Sequence, residues 1–203
     1  MRIPSEADLF AAVDATWPAH TVRQVDGWTI RDGRGGGQRV SAASGFGDIG
    51  VAERAMAALG QEPLFMIQGD QSDLDSELAE RGYVVKDPVD FLVGDAGKIS
   101  AGFEPKREAI FAQFPMPILA EIWEQGGIGP ARLDVMQQAI CDKTFVMGRI
   151  DDRASAAAFV AQRGGICMAH AVEVLPRERR RGVAHRMMQA AAWWGLRQGA
   201  GVF

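Results

Sequence analysis

Residues 172–185, Val-Glu-Val-Leu-Pro-Arg-Glu-Arg-Arg-Arg-Gly-Val-Ala-His, hold the densest set of chemically capable side chains in this 203-residue sequence. An apolar stretch breaks at Pro176, four arginines fall within residues 177–181, and Gly182 and Ala184 open an amphipathic run. Arginines beside small residues at a helix start suit an anion. Unpaired backbone N–H groups and the positive end of the helix dipole attract it, and glycine lets the backbone come close. The pattern reads as a phosphate-binding turn. The plainer alternative is a solvated basic turn or a nucleic-acid patch, but a mere charge run gives the glycine and the following helix no role.

Other candidate groups are sparse. Cys167 and His170 share the strand that enters the loop, yet residues three apart in a strand point to opposite faces, which argues against a nucleophilic pair. His20 and His185 have no neighbours of metal-ligand type, so no metal site is read; His185 reads as a helix-start residue beside the phosphate. Cys141 and Cys167 form no Cys-x-x-Cys pair and suggest neither a disulfide framework nor zinc. The formal charge of −4 divides into −7 over residues 1–100 and +3 over residues 101–203. An acidic whole with local basicity argues against general nucleic-acid affinity, which draws on a broad basic surface. The amino-terminal stretch lacks the basic flank and apolar run of a signal peptide, and no apolar run approaches a bilayer span, so a cytoplasmic protein without membrane contact is expected.

The elements that must position the loop follow from periodicity and turn chemistry. Ser5 to Asp8, then Leu9, Phe10, Val13 and Trp17, read as a capped helix closed by Pro18, with Trp17 a core anchor. Residues 27–31 and 39–42 read as strands joined by a glycine-rich hairpin turn over 32–37; strands on both sides make it a turn and not a phosphate loop. A helix over 50–60, a buried strand over 63–67, a serine-capped helix over 72–81 and a strand over 83–93 follow. Residues 94–106 read as a linker. Helical signals resume over 106–114, 117–125 and 130–141, with Trp123, Leu133 and Met136 turned inward. Three antiparallel strands over 144–150, 154–162 and 166–175 then feed the loop. The last helix presents Ala184, Met187, Met188, Ala191 and Trp194 on one face. The fold class is α/β, in the sense of an α+β mixed sheet with partly parallel pairing.

Arg179-x-x-Gly182-x-Ala184, preceded by Val172-x-Val174-x-Pro176, resembles the acetyl-CoA signature of the GNAT superfamily of N-acetyltransferases, Arg/Gln-x-x-Gly-x-Gly/Ala. The resemblance implies a GNAT-like acyl-CoA N-acyltransferase fold and acetyl-CoA as co-substrate, with no metal. It implies that backbone groups around Val172 and Val174 pair with the pantetheine arm, and that Arg179 with the amides of Arg180, Arg181, Gly182, Val183 and Ala184 holds the pyrophosphate. The reaction implied is direct transfer of an acetyl group to a primary amine in a ternary complex. Glu173, the only carboxylate on the strand, is the candidate base for the amine proton; alternation equally allows it to face solvent or pair with an arginine. The helices over 117–141 occupy the position that shapes the acceptor pocket in the family.

Leu78-Ala79-Glu80-Arg81-Gly82-Tyr83 is similar to the family's late helix, which often ends in a Gly-aromatic pair. Residues 20–95 thus look like a degenerate GNAT-like copy, in which Ser44 to Gly50 stands where the arginine loop would be and carries only a negative charge. Tyr83 then reads as a packing residue. Two tandem halves are expected, a degenerate domain over 1–100 and an acetyl-CoA-binding domain over 101–203, the second lacking the family's final elements. The apolar stub from Gly199 to Phe203 is expected to leave an unpaired edge, to be completed by further chain or by a partner, a homodimer included. The acceptor that the resemblance implies is a small-molecule or peptide amine. A non-catalytic acyl-CoA-binding or regulatory module and a nucleic-acid module using the arginine loop are the competing functions.

Overall fold

The computed structural model describes residues 3–69 and 71–203, with backbone alone for 106 and 107. Met1 and Arg2, part of the stretch read for a targeting signal, lie outside the described residues. Helix α1 (Glu6–Thr16) starts as expected: the Ser5 hydroxyl accepts from Asp8 N, and Asp8 Oδ2 accepts from Ser5 N at 3.1 Å. This reciprocal pair satisfies two amides at the helix start.

Residues 19–92 form one compact unit. Strands β1 (Thr21–Val25) and β2 (Trp28–Asp32) meet at a tight turn whose Asp26 and Gly27 have φ of 45° and 87°. The hairpin is therefore one strand earlier than expected. Most of β1 is exposed, so it carries no apolar alternation to betray it. The glycine-rich run after β2 leads into a 3-10 turn at Gln38–Val40, not a strand over 39–42, and pairing resumes only at β3 (Ser44–Gly45). Helix α2 (Ile49–Ala57) is capped by Asp48, and α3 (Ser72–Glu80) starts one residue after its cap position, Gln71, without the expected serine cap. The strand expected over 63–67 is a single parallel bridge between Ala43 and Phe65. Residues 83–92 make no ladder at all. Their apolar residues do not alternate, since Val84-Val85 and Phe91-Leu92 are adjacent, and Pro88 removes a donor, so no one face can be buried. Trp28, Ile30, Ile49, Ala52, Met56 and Leu78 form this unit's core.

The second unit joins Met1–Pro18 to Val93–Phe203. The boundary expected at residue 100 thus falls at 92, and α1 belongs with the carboxy-terminal sheet, where Leu9 and Ala12 pack on Ile166 and the Trp17 ring lies 5.2 Å from that of His170. The expected linker is structured: α4 (Ala96–Ile99) is capped by Asp95. The helix expected over 106–114 shrinks to α5 (Pro105–Glu108) and gives way to β4 (Ala109–Ala112). Helices α6 (Pro117–Gln125) and α7 (Pro130–Gln138) follow, each with proline in its first turn.

Strands β5 (Asp142–Ile150), β6 (Arg153–Arg163) and β7 (Ile166–Val174) form the expected antiparallel meander, with β4 added outside β5. Asp151-Asp152 and Gly164-Gly165, all at positive φ, make the two hairpin turns. Helix α8 (Val183–Arg197) lies on one face of this sheet through Val183, Met187, Ala190, Ala191 and Trp194. The edge expected to be unpaired is covered on both sides. Cys167 N donates to Val202 O at 2.9 Å and Phe203 N to Gly94 O at 3.0 Å, which places residues 201–203 between the start of β7 and residues 94–96.

Candidate functional site

Strand β7 does not alternate evenly. Glu173 pairs with Ala157 and His170 with Phe159, so Ala171 and Val172 together oppose Ala158. This is a β-bulge, and Ala171 takes φ of 48° to make it. The bulge shifts the phase of the strand by one residue. Ala169, Val172 and Val174 all pack on the α8 side, whereas His170 and Glu173, three residues apart, share the opposite face. Cys167, ahead of the bulge, faces α8 and is separated from His170 as expected; His170 is buried, with Nε2 2.8 Å from Thr16 Oγ1.

Two groups on α6 meet the bulged segment. The indole of Trp123, fully buried, donates from Nε1 to Ala171 O at 2.7 Å. Gly126, at the end of α6, lies under the Glu173 side chain: a Cβ at 126 would stand 2.4 Å from Oε2 and 2.5 Å from Cδ. The other carboxylate oxygen, Oε1, accepts from Arg179 Nη2 at 3.0 Å. Glu173 is therefore held between a glycine and a guanidinium. Of the readings left open by the strand pattern, the pair with an arginine is the one observed.

After β7 the chain makes a 3-10 turn at Pro176–Glu178 and reaches α8 through Arg180 and Gly182, with φ of 61° and 77°. Gly182 occupies the cap position with no side-chain hydrogen bond, so the first turn of α8 keeps the amides and the dipole end that favour an anion. The loop arginines are tied to acids. Arg179 turns back to β7, donating from Nε to Val174 O at 3.0 Å as well as to Glu173; Arg181 pairs with Glu178 and lies 3.6 Å from Asp151; Arg177 lies 3.5 Å from Glu178. Arg180 and Ala184 are exposed, and Val183 is buried in the core. The residues read as a pyrophosphate grip thus lie on one loop and one helix turn, and the α8 start fits an anionic group. Val172 and Val174 direct side chains into the core, and the Val174 carbonyl is engaged by Arg179.

Among the described residues no group of three or more His, Cys, Asp or Glu could hold a metal ion, and no helix is long and apolar enough to cross a membrane. Trp123 is read from sequence only as packing, and Gly126 falls in the gap between the helices expected over 117–125 and 130–141. Ala171 carries no local signal, because left-handed backbone is usually marked by glycine or asparagine.

No family model matches the sequence, and no curated protein matches it. Solved structures do share the fold. A GCN5-related N-acetyltransferase from Kribbella flavida superposes with a TM-score of 0.62 at 15% identity, over 99% of this chain and 85% of that one. A functionally unknown conserved protein from Staphylococcus epidermidis ATCC 12228 superposes with a TM-score of 0.56 at 10% identity, over 93% and 83%. At these identities the likeness is one of fold, a mixed α/β arrangement with antiparallel sheets.

Proposed function

We propose that the chain is an N-acetyltransferase of the GNAT superfamily that moves an acetyl group from acetyl-CoA to a primary amine by direct transfer. The observation that carries the reading is the unit of bulged β7, arginine loop and glycine-opened α8 in a chain with the fold of a GCN5-related N-acetyltransferase. Residues 93–203 with α1 would be the working half, and residues 19–92 a degenerate GNAT-like half that binds no CoA, for which the acidic Asp48 in place of an arginine loop speaks.

Acetyl-CoA, when bound, supplies a thioester: the amine nitrogen forms the new C–N bond to the acetyl carbon as the C–S bond breaks and the CoA thiol leaves. The chain's own part is to bind, orient and move a proton, and positioning supplies much of the rate. The amides of Gly182, Val183 and Ala184, with Arg179, Arg180 and Arg181, would hold the pyrophosphate. Backbone groups of Val172 and Val174 would orient the pantetheine arm. Glu173 would take the amine proton directly or through water. For Arg179 to reach a phosphate it must leave Glu173, and its exchange of one anion for another frees the carboxylate for that proton.

A non-catalytic acyl-CoA-binding module is the second reading, favoured by the engagement of Glu173 and Arg179 with each other. The nucleic-acid reading loses ground, because Arg177, Arg179 and Arg181 are each paired with an acid. Mass spectrometry of a panel of amines after incubation with acetyl-CoA separates these readings. The panel is a polyamine, an aminoglycoside, an amino-acid ester and a lysine peptide. Acetylation of at least one is expected; saturable CoA binding with none acetylated would replace the enzyme by the module.

A further inference from the structure

We infer that the last turn of α6 is the positioning device of the site: Trp123 fixes the β7 bulge and Gly126 leaves the space in which the Glu173 carboxylate sits. The inference rests on the acyl-transfer reading and deepens it. The two contacts act in sequence. Ala171 must hold a left-handed φ of 48°, which an alanine adopts only when its surroundings impose it. The buried indole N–H bonded to its carbonyl at 2.7 Å imposes the orientation of that peptide. The bulge in turn sets the phase that brings Glu173 to the α6 face; without the extra residue its side chain would point to α8 with Ala169.

Gly126 acts at the carboxylate itself. Its φ of −89° suits any residue, so its need is spatial and not conformational. A Cβ there would approach Oε2, Cδ and Cγ of Glu173 to 2.4, 2.5 and 2.7 Å, against ordinary contact from 3.4 Å. The carboxylate would have to move by about 1 Å, enough to cost roughly 10²-fold when the displaced group is reacting. Gly129, at the start of α7, has nothing within 4 Å of its missing Cβ and no such role.

The test is a mutant cycle on steady-state transfer from acetyl-CoA to whichever amine of the panel is acetylated, with thermal unfolding of every variant. Gly126→Ala is expected to lower kcat by roughly 10- to 100-fold while the KM for acetyl-CoA stays within ~3-fold. Gly129→Ala leaves both unchanged. Glu173→Asp draws the carboxylate back by one methylene, away from the new methyl group. Gly126→Ala should therefore add little or no further loss in the Glu173→Asp background. Such coupling is the mark of a shared space, and a merely structural role would give multiplying losses. Trp123→Phe, which keeps a ring and removes the donor, should lower kcat more than it raises that KM. A wild-type chain that acetylates no amine overturns the acyl-transfer reading and this inference with it. A wild type that transfers while Gly126→Ala keeps its kcat, or multiplies with Glu173→Asp, overturns the inference alone.

Discussion

Replacing Trp123 by phenylalanine removes one N–H donor and part of one ring from a site with no exposure to solvent. The lost partner is the carbonyl of partly buried Ala171, 2.7 Å from Nε1, and an acceptor shut off from water and left without its donor costs about 1–3 kcal/mol. The smaller ring leaves space beside Phe145, whose centroid is 6.2 Å away; the full Trp-to-Ala loss is 3–5 kcal/mol, so this fraction adds about 1 kcal/mol. The sum is roughly 2–4 kcal/mol. At about 2–4 °C per kcal/mol for a chain of this size, the midpoint of thermal unfolding should fall by roughly 5–15 °C. Circular dichroism melts of both proteins at one scan rate measure it. A fall under ~1 °C would mean that the indole does not sustain the bulge, and the positioning account would lose its first contact.

Tyr83, the only tyrosine, carries a second prediction: burial, then its 2.8 Å hydrogen bond to Glu53 and that carboxylate's charge, push its phenol from 10 up to about 12. Absorbance near 295 nm should show it titrating late. Because the folded state holds the proton more tightly than the unfolded one, this contribution to stability is whole below pH 10 and is lost as the pH rises through 12. A phenol titrating near its ordinary value would contradict the packing of residues 19–92. Burial likewise pushes the Cys167 thiol up to about 12 and raises that of half-buried Cys141. Ellman's reagent at pH 8 should therefore modify Cys167 only on unfolding; rapid modification of both thiols in the native protein would refute the close contact of β7 with α8. Met187→Ala, in the middle of that contact, should cost about 2–5 kcal/mol by urea unfolding, and a loss under ~1 kcal/mol would place α8 elsewhere.

Features with strong local chemistry are legible in the sequence. The Ser5–Asp8 capping box, the paired turn residues at 151–152 and 164–165, and the three-and-four spacing of Met187, Ala191 and Trp194 each specify an element alone. Elements that depend on their neighbours are not. Strand β1 is an exposed strand held by its ladder to β2, β4 is four residues recruited by β5, and residues 201–203 are paired by segments far away in the chain. The candidate site divides the same way. The arginine loop and the α8 start are visible as composition and turn chemistry. The face taken by Glu173 is not, because it hangs on a bulge at an alanine and on a tryptophan and a glycine some fifty residues earlier.

The proposed grip on the pyrophosphate of acetyl-CoA runs from Arg179 to Ala184. Calorimetric titration of acetyl-CoA into the wild-type protein and into the Arg179→Glu, Arg181→Glu double variant tests it directly. The ion pairs these arginines make are half exposed and worth ~0–1 kcal/mol each, so the variant should keep its fold by circular dichroism. Saturable binding to the wild type and none to the folded variant is the expected result. Equal affinity in both, or no binding to the wild type, would contradict it.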